Sequence, residues 1–299
     1  MSRTIEEVHA LQHRDAGFII FDAPGANLLT RAGFERISWI LRDYRHKSSV
    51  KAIVFRGVDG KNFCGGTNLR WMQGLQNSPE LGNETIDYFY RVGKEIIEYP
   101  KPTIAAIENG VCGGIGFEIA TCCRHVVAAE KNTDTIKFAA LANRFGFMLG
   151  LGVLWRLAHN IGIEHAARFL IKKEVTDLTD AYDLGIVDEV LPGKDFTEEV
   201  CGFARLAARG MPKKVYPCII ASLAHLSDRE VKHLAFGCPA PAVKRTLKAL
   251  ELVLREKTFG KAMKLEKEIF KELFFSQNAK EGIDAFLNKR EPKFSNIVV

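Results

Sequence analysis

Two stretches of the chain repeat one design, in which a buried strand is followed by a glycine turn and the start of a helix. VKAIVFRG (50–57) leads to KNFCGGTNLR (61–70), and KPTIAAIENG (101–110) leads to GVCGGIGFE (110–118). Unbroken apolar and β-branched runs of this kind are typical of strands that are buried on both faces, as in parallel sheets. Strands that alternate with helices predict an α/β protein with a parallel sheet and right-handed crossovers.

The rest of the first 190 or so residues continues this alternation. GFIIFD (17–22) and HVVAAE (125–130) predict two further strands. Apolar residues at helical spacing predict a helix over 30–44, with Thr30 as its N-cap, and a second helix over 86–99 after a polar gap.

The pattern of the chain changes after about Pro192. Strand patterns give way to helical periodicity, which is interrupted at FGCPAPA (236–242). We therefore expect an α/β core over residues 1–195 and a helical part over residues 196–299.

Composition and charge narrow the class of function. The 299 residues are 47% hydrophobic and 26% charged, which is ordinary for a globular protein. The N-terminal residues lack the apolar stretch of a signal peptide, and no run approaches the ~18 apolar residues of a membrane span, so we expect a cytoplasmic protein with no membrane partner. The net charge is +6, yet basic residues are not clustered or interleaved with aromatic residues, so no nucleic-acid partner is predicted. A polyanionic small molecule remains compatible with this diffuse charge.

Several common kinds of site are not predicted. The seven cysteines contain no CxxC pair and the eight histidines no HExxH motif, so we expect reduced thiols, no disulfide framework and no metal site. The sequence also lacks GxGxxG and GxxxxGK[ST], which argues against dinucleotide and P-loop phosphate sites.

The two glycine turns are predicted to act together. Turns at the carboxyl ends of parallel strands lie where ligands bind, and each presents amide N–H groups at the positive end of a helix dipole. Two such amides would stabilise negative charge on a carbonyl oxygen, as an oxyanion hole does. Glu118 lies one turn into the second helix, where a carboxylate can exchange a proton with the same ligand. The alternative is a pair of tight strand–helix connections that bind nothing.

Five segments of the chain, in this order, resemble the enoyl-CoA hydratase/isomerase (crotonase) superfamily: VKAIVFRG, KNFCGGTNLRWM, KPTIAAIENGVCGGIGFEIATCCRHVVAAE, AYDLGIVDEVLP and NAKEGIDAFLNKREPKF. The resemblance implies a crotonase-like spiral of ββα units with a helical C-terminal part that serves oligomerisation and site closure. It also implies a homotrimer or hexamer and an acyl-CoA thioester substrate. No cofactor is implied beyond the coenzyme A that forms part of that substrate.

The resemblance assigns roles to individual residues. It implies that the backbone amides of Thr67 and Ile115 form the oxyanion hole and that Glu118 is the catalytic carboxylate. It further implies contacts with the acyl-CoA from Lys61, Gly66, Asn68, Arg70, Gly114, Phe286 and Lys289.

The sequence departs from the family at the second catalytic carboxylate. Ala142, in KFAALANRFGF, stands where that carboxylate is expected. Hydration needs one group to activate water and one to protonate the α-carbon, which leaves three alternatives. Glu118 performs both steps, with help from water or Asn143; the enzyme runs another enolate reaction, such as hydrolysis or decarboxylation; or activity is weak or lost. The resemblance disfavours the isomerase reaction, because family isomerases rely on the missing carboxylate.

Other side chains are less suited to the chemistry of the site. Cys112 is expected to be a small buried filler, and His225 and His233 to be surface or interface residues rather than catalytic groups. Trp71, Phe145, Phe147 and Met148 pack in a core or line a pocket for a bulky or cyclic acyl group. The sequence thus favours an enoyl-CoA hydratase or dehydratase on an unusual acyl group, with a crotonase-type hydrolase, a decarboxylase or a non-catalytic acyl-CoA-binding subunit as alternatives.

Overall fold

The structure is a computed structural model, and it describes residues 7–172, 174–212, 223 and 226–298. The strands are β1 (Val8–His13), β2 (Ala16–Phe21), β3 (Leu28–Leu29), β4 (Ala52–Gly57), β5 (Gly66–Thr67), β6 (Thr103–Ile107), β7 (Val111–Gly113), β8 (His125–Ala129), β9 (Lys137–Ala139), β10 (Thr176–Asp177) and β11 (Glu189–Leu191). The helices are α1 (Pro24–Asn27), α2 (Arg31–His46), α3 (Leu69–Gln76), α4 (Pro79–Ile97), α5 (Ile115–Cys122), α6 (Val153–Ile161), α7 (Ile163–Ile171), α8 (Leu178–Asp183), α9 (Phe196–Ala208), α10 (Asp228–Leu234), α11 (Ala240–Leu254), α12 (Phe259–Phe274) and α13 (Gln277–Leu287). Short 3₁₀ turns cover Glu130–Asn132 and Leu141–Phe145.

The described chain divides into two compact units, and the predicted boundary at 195/196 is not where they divide. The first unit contains residues 7–67, 91–138 and 176–212, and the second contains the remaining described residues. Helix α9 belongs to the first unit because it packs on its sheet, where the Arg56 guanidinium donates to the Thr197 hydroxyl over 2.8 Å. Helices α3, α6 and α7 belong to the second unit because they pack against α11 and α13.

A six-stranded sheet forms the centre of the first unit, in the order β1-β2-β4-β6-β8-β11. The pair β1–β2 is antiparallel, and every other neighbouring pair is parallel. Every residue of β4, β6 and β8 is buried, which explains why apolar residues dominate their sequences. The predicted parallel α/β sheet is therefore confirmed. Two smaller sheets, of order β10-β9-β7 and β3-β5, accompany it.

Helix α2 begins where the sequence predicts, but its N-terminus is capped by another segment. Thr30 occupies the N-cap position, and its side chain makes no capping bond. Instead the Glu7 carboxylate accepts hydrogen bonds from the N–H groups of Thr30 (2.9 Å) and Gly33 (3.1 Å). A carboxylate at this end also interacts favourably with the helix dipole.

The prediction of a polar gap before the helix over 86–99 is wrong in part. Helix α4 begins at Pro79, so most of the polar stretch forms its first turns. Proline suits the first helical position because its missing N–H has no partner there in any case. None of the helices in the described ranges combines the length and the apolar character that a membrane span needs.

In the second unit a buried carboxylate fixes the start of α6. Glu266, on α12, is 0% exposed and accepts hydrogen bonds from the N–H groups of Gly152 (2.6 Å) and Leu154 (3.0 Å) and from the Tyr90 hydroxyl (3.1 Å). Gly152 has a φ of 82°, in the left-handed region that glycine adopts without strain. Glu266 therefore holds the segment that leads into α6.

We expect Glu266→Gln to lower the free energy of unfolding by about 1–3 kcal/mol, because the new NH₂ group faces donors and leaves one of them unsatisfied in the interior. Tyr90→Phe removes a single hydroxyl donor and costs about 1 kcal/mol. Urea unfolding measures both changes. Glu268→Gln, an exposed position on the same helix, is the matched control and changes stability by less than about 0.5 kcal/mol. Equal values for Glu266→Gln and the control would contradict this role.

The end of α13 carries a charge cluster with a predictable pH dependence. The two terminal nitrogens of the Arg290 guanidinium donate to the Glu281 carboxylate, over 2.6 and 2.9 Å. These bonds, followed by one from the Lys293 N–H, lower the pKa of Glu281 from the ordinary 4.5 to about 2. A lowered folded-state pKa means that the cluster stabilises the fold fully above pH 4.5 and loses this contribution as the pH falls through about 2.

We expect a ¹³C NMR titration to give a Glu281 carboxyl midpoint near 2, and Arg290→Gln to return that midpoint toward 4.5. Arg245→Gln, which removes a comparable exposed ion pair with Glu272, leaves the Glu281 midpoint unchanged. A midpoint near 4.5 in the unsubstituted protein would contradict the prediction.

Candidate active site

The two glycine turns lie side by side in the first unit. Cys64 and Cys112 form a parallel β-bridge between them. The Cys64 N–H donates to the Val111 carbonyl (3.2 Å), and the Gly113 N–H donates to the Cys64 carbonyl (2.9 Å). The predicted association of the two turns is therefore present in the structure.

Glycine is required where the turns touch. A Cβ atom on Gly114, whose φ is 49°, would lie 3.2 Å from the Cα atom of Gly66. A Cβ atom on Gly116 would lie 2.3 Å from the Cys64 carbonyl oxygen, a distance that real Cβ atoms do not reach. The bare backbone is thus what allows the second turn and the start of α5 to approach the first turn.

Because the two turns pair in parallel register, Thr67 and Ile115 occupy equivalent positions in them. Each residue stands three positions after its bridged cysteine and one position after a glycine of the touching pair, Gly66 or Gly114. Ile115 is the first residue of α5, and the first bond of that helix runs from the Glu118 N–H to the Gly114 carbonyl. The Ile115 N–H therefore has no acceptor within its helix and lies at the positive end of the dipole.

Glu118 lies in the first turn of α5 and is buried, with 6% of its surface exposed. It is close enough to Cys64 for its charge to affect the thiol. Burial, with a contribution from the Glu118 charge, raises the pKa of Cys64 to about 12. Burial also raises the pKa of Cys112 well above its ordinary value, so both thiols stay protonated and serve as packing. The expected filler role of Cys112 agrees with this position.

The pairing of glycine turns and the sequences around them match a known family. A sequence model described as enoyl-CoA hydratase/isomerase matches residues 16–236. A probable enoyl-CoA hydratase of Bacillus subtilis is 30% identical over 277 residues, which cover 91% of this chain and 92% of that protein. This chain belongs to the enoyl-CoA hydratase/isomerase family.

Other members of the enoyl-CoA hydratase/isomerase family extend the likeness to nearly the whole chain. A mitochondrial enoyl-CoA hydratase of Pongo abelii is 26% identical over 286 residues, covering 95% of this chain and 85% of that protein. A crystal structure of an enoyl-CoA hydratase from Rhodobacter sphaeroides superposes with a TM-score of 0.79 at 20% identity, covering 97% of this chain and 92% of that one. This structural likeness confirms the predicted crotonase-like fold.

The position of the family's second carboxylate lies in the second unit, in the 3₁₀ turn Leu141–Phe145. Ala142 is buried there and has no group that can exchange a proton. The neighbouring Asn143 side chain donates to the Leu170 carbonyl (2.9 Å) and accepts from the Thr246 hydroxyl (3.1 Å). Asn143 is therefore held by internal bonds, which argues against the suggestion that it assists Glu118.

The residues expected to contact coenzyme A occupy different settings. Lys61, in the first unit, is exposed and forms a 2.6 Å ion pair with Asp22. Arg70 is exposed on α3, whose N-cap Asn68 accepts from the Trp71 N–H (3.1 Å). This capping bond gives Asn68 a structural role; its predicted contact with acyl-CoA stays a prediction.

Phe286 and Lys289 lie at the end of α13 in the second unit. Phe286 is 60% exposed, and its ring meets that of Phe145 edge-on with 5.5 Å between centroids. Lys289 has a φ of 52°, an uncommon left-handed conformation, just past the helix end. An exposed aromatic ring beside a lysine suits a nucleotide-bearing ligand, and this role stays a prediction.

The aromatic residues that the sequence offers for an acyl pocket belong to the second unit. Phe145 stacks on Phe147 with 6.2 Å between centroids, and Trp71 packs on Phe89 at 5.9 Å. Met148 is fully buried. Met148 therefore packs in the core, and a pocket-lining role for Trp71, Phe145 and Phe147 stays a prediction.

The remaining candidates are two histidines and a metal site. His233 is exposed on α10, and His225 lies outside the described residues. In the described ranges no group of three or more His, Cys, Asp or Glu side chains could hold a metal ion. Sequence reasoning missed Asn27 and Asn62, which bond to the glycine turns. No motif marks either residue.

Proposed function

We propose that this protein adds water across the α,β double bond of an enoyl-CoA thioester, and in reverse removes it. The proposal rests on one observation. The two glycine turns pair in parallel register, and Glu118 lies in the first turn of α5, the helix that follows the second of them. The relatives described above are themselves named enoyl-CoA hydratases.

In this proposal the N–H groups of Thr67 and Ile115 donate to the thioester oxygen. The Glu118 carboxylate takes a proton from water while the water oxygen bonds to the β-carbon, and the electron pair of the double bond moves toward the thioester to form its enolate. Glu118, now protonated, returns that proton to the α-carbon as the enolate collapses. One water is consumed, and Glu118 is regenerated.

A single carboxylate performs both proton transfers because Ala142 cannot take part. Both new bonds then form on the face of the substrate that Glu118 occupies. The two amides supply the larger share of catalysis, since one such donor is worth roughly 2.7–4 kcal/mol of transition-state stabilisation.

The acyl group is proposed to be bulky or cyclic. The rings of Phe145, Phe147 and Phe286 contact one another in the second unit and offer aromatic surface. Ala142 presents only a methyl group where the family has a carboxylate. Assembly as a trimer or hexamer, the cytoplasmic location, and the absence of any cofactor beyond the coenzyme A of the substrate stay predictions.

Turnover of a panel of straight-chain, branched, cyclic and dicarboxylic acyl-CoA esters, followed by mass spectrometry, tests the proposal. We expect products that differ from a substrate by one water, with the fastest turnover for a branched or cyclic ester. Loss of CO₂ or release of free coenzyme A would instead identify a decarboxylase or a hydrolase. Binding of a saturated acyl-CoA in calorimetry without turnover of any ester would identify a non-catalytic binding subunit.

A further inference from the structure

We propose that Asn62 is a positioning residue that sets the spacing of the two glycine turns and so aligns the amides of Thr67 and Ile115. This inference rests on the proposed function, because the alignment matters only if those amides bind a thioester oxygen. No motif or charge singles out Asn62 in the sequence.

Asn62 bonds to both neighbouring segments. Its side-chain oxygen accepts from the Val111 N–H over 2.7 Å, which joins the first turn to the strand that leads into the second. Its backbone carbonyl accepts from the Asn27 side chain over 2.6 Å, which joins the first turn to α1. One residue thus connects three segments of the first unit.

The space around Asn62 admits no larger neighbours. A Cβ atom on Gly110 would lie 2.2 Å from the Asn62 side-chain oxygen, and one on Gly57 would lie 2.2 Å from its carbonyl oxygen. Glycine at both positions lets the backbone close around Asn62. Gly57 and Gly110 therefore both allow the close packing of Asn62.

The bond to Val111 lies directly before the bridge between Cys64 and Cys112. It is continuous with the bonds from Cys64 to Val111 and from Gly113 to Cys64. Without it, the Val111 N–H loses its acceptor and the ladder that fixes the register of the turns ends one bond earlier. The two amides would then move relative to each other, and a shift of about 1 Å at a reacting centre can cost about 10²-fold in rate.

Asn27 supports the same arrangement from the other side. It is fully buried, and its φ of 57° is a left-handed conformation that asparagine tolerates better than most residues. The preceding residue, Ala26, accepts from the Gly65 N–H over 2.7 Å. The first turn is therefore anchored at Asn62 and at Gly65, on either side of Cys64.

The test uses the full chain and butyryl-CoA labelled with ¹³C at the carbonyl carbon, a thioester that has no double bond to hydrate. Infrared difference spectroscopy measures its carbonyl stretching frequency when bound, and steady-state kinetics on the best ester of the panel gives kcat and KM. The variants are Asn62→Ala, which removes the acceptor, and Asn62→Asp, which retains an acceptor oxygen. Asn278→Ala is the matched control, since it removes an equivalent side-chain bond to the Ser295 N–H in the second unit.

We expect binding to lower the carbonyl frequency in the unsubstituted protein and in Asn62→Asp and Asn278→Ala. In Asn62→Ala we expect most of that shift to be lost and kcat to fall by about 10- to 100-fold, with little change in KM. If Asn62→Ala does not fold, Asn62→Gln decides, because its longer side chain presses the turns apart and reduces the shift.

A full frequency shift in a folded Asn62→Ala or Asn62→Gln protein would overturn the positioning role while leaving the proposed function intact. No shift in the unsubstituted protein would overturn the oxyanion hole, and the positioning role with it. Equal loss of the shift in Asn278→Ala would show a general effect of destabilisation and would also overturn the proposal.

Discussion

Glu118→Gln lowers kcat for water addition by about 10²- to 10⁴-fold, the range that general acid–base catalysis contributes. Glutamine has nearly the same shape and preserves the backbone of α5, but it can neither take a proton from water nor return one to the α-carbon. Because Ala142 provides no second carboxylate, no residual route through that position is available. We expect KM to change little, because in the proposed mechanism the amides of Thr67 and Ile115 hold the thioester and the substitution leaves them in place. Steady-state kinetics on the best ester of the panel provides the measurement.

Glu130→Gln is the matched control for this substitution. Glu130 is an exposed carboxylate at the end of β8 in the same unit. Its replacement leaves kcat unchanged, so any loss in Glu118→Gln is specific to the buried carboxylate. Unchanged turnover in Glu118→Gln would mean that Glu118 is structural and that the one-carboxylate mechanism is wrong.

Gly116→Ala is expected to cost about 10²- to 10³-fold in kcat, comparable to the loss of one oxyanion-hole donor. The added Cβ atom would lie 2.3 Å from the Cys64 carbonyl oxygen and 2.6 Å from its Cβ atom, so the start of α5 must move away from the first turn. That movement carries the Ile115 N–H with it. Overpacking of this kind also destabilises a fold by about 1–3 kcal/mol. Kinetics and urea unfolding report the two effects separately.

Gly202→Ala is a control that is expected to raise the stability of the fold, whereas Gly116→Ala lowers it. Gly202 lies within α9 of the same unit, and a Cβ atom there meets nothing within 4 Å. Alanine is the better helix former, so this variant gains about 0.5–1 kcal/mol of stability with no change in kcat. A Gly116→Ala protein with full activity would show that the closeness of the turns is not needed for catalysis.

Much of the first unit could be predicted from the sequence because its signals are local. The buried strands β4 and β6 appear as continuous apolar runs, and each glycine turn follows its strand directly. Parallel strands end at one edge of a sheet, so neighbouring turns must meet. That the two turns meet follows from this rule, whereas their register, with Cys64 opposite Cys112, is known only from the structure.

Hydrogen bonds between segments that are far apart along the chain could not be predicted from the sequence. Glu7 caps α2 from outside that helix, and Glu266 holds the start of α6 from more than 100 residues away. Asn62 is a polar residue in a loop, and nothing local distinguishes it from other asparagines. The start of α4 was missed for a related reason, since its exposed polar first turns resemble a loop until the helix is seen.

The division into units also depends on contacts that are distant in the sequence. Helical periodicity after residue 195 predicted a boundary there, yet α9 packs on the sheet of the first unit. Periodicity reports which face of a helix is buried but not which partner buries it.

The most direct test of the proposed chemistry is the fate of labelled water. The protein and the best α,β-unsaturated ester of the panel are incubated in H₂¹⁸O, and the intact thioester product is weighed by mass spectrometry, with Glu118→Gln alongside. We expect a product heavier than its substrate by one H₂¹⁸O, formed by the unsubstituted protein and greatly reduced in Glu118→Gln. Release of free coenzyme A with ¹⁸O in a carboxylic acid, or a product with no added water, would contradict the account.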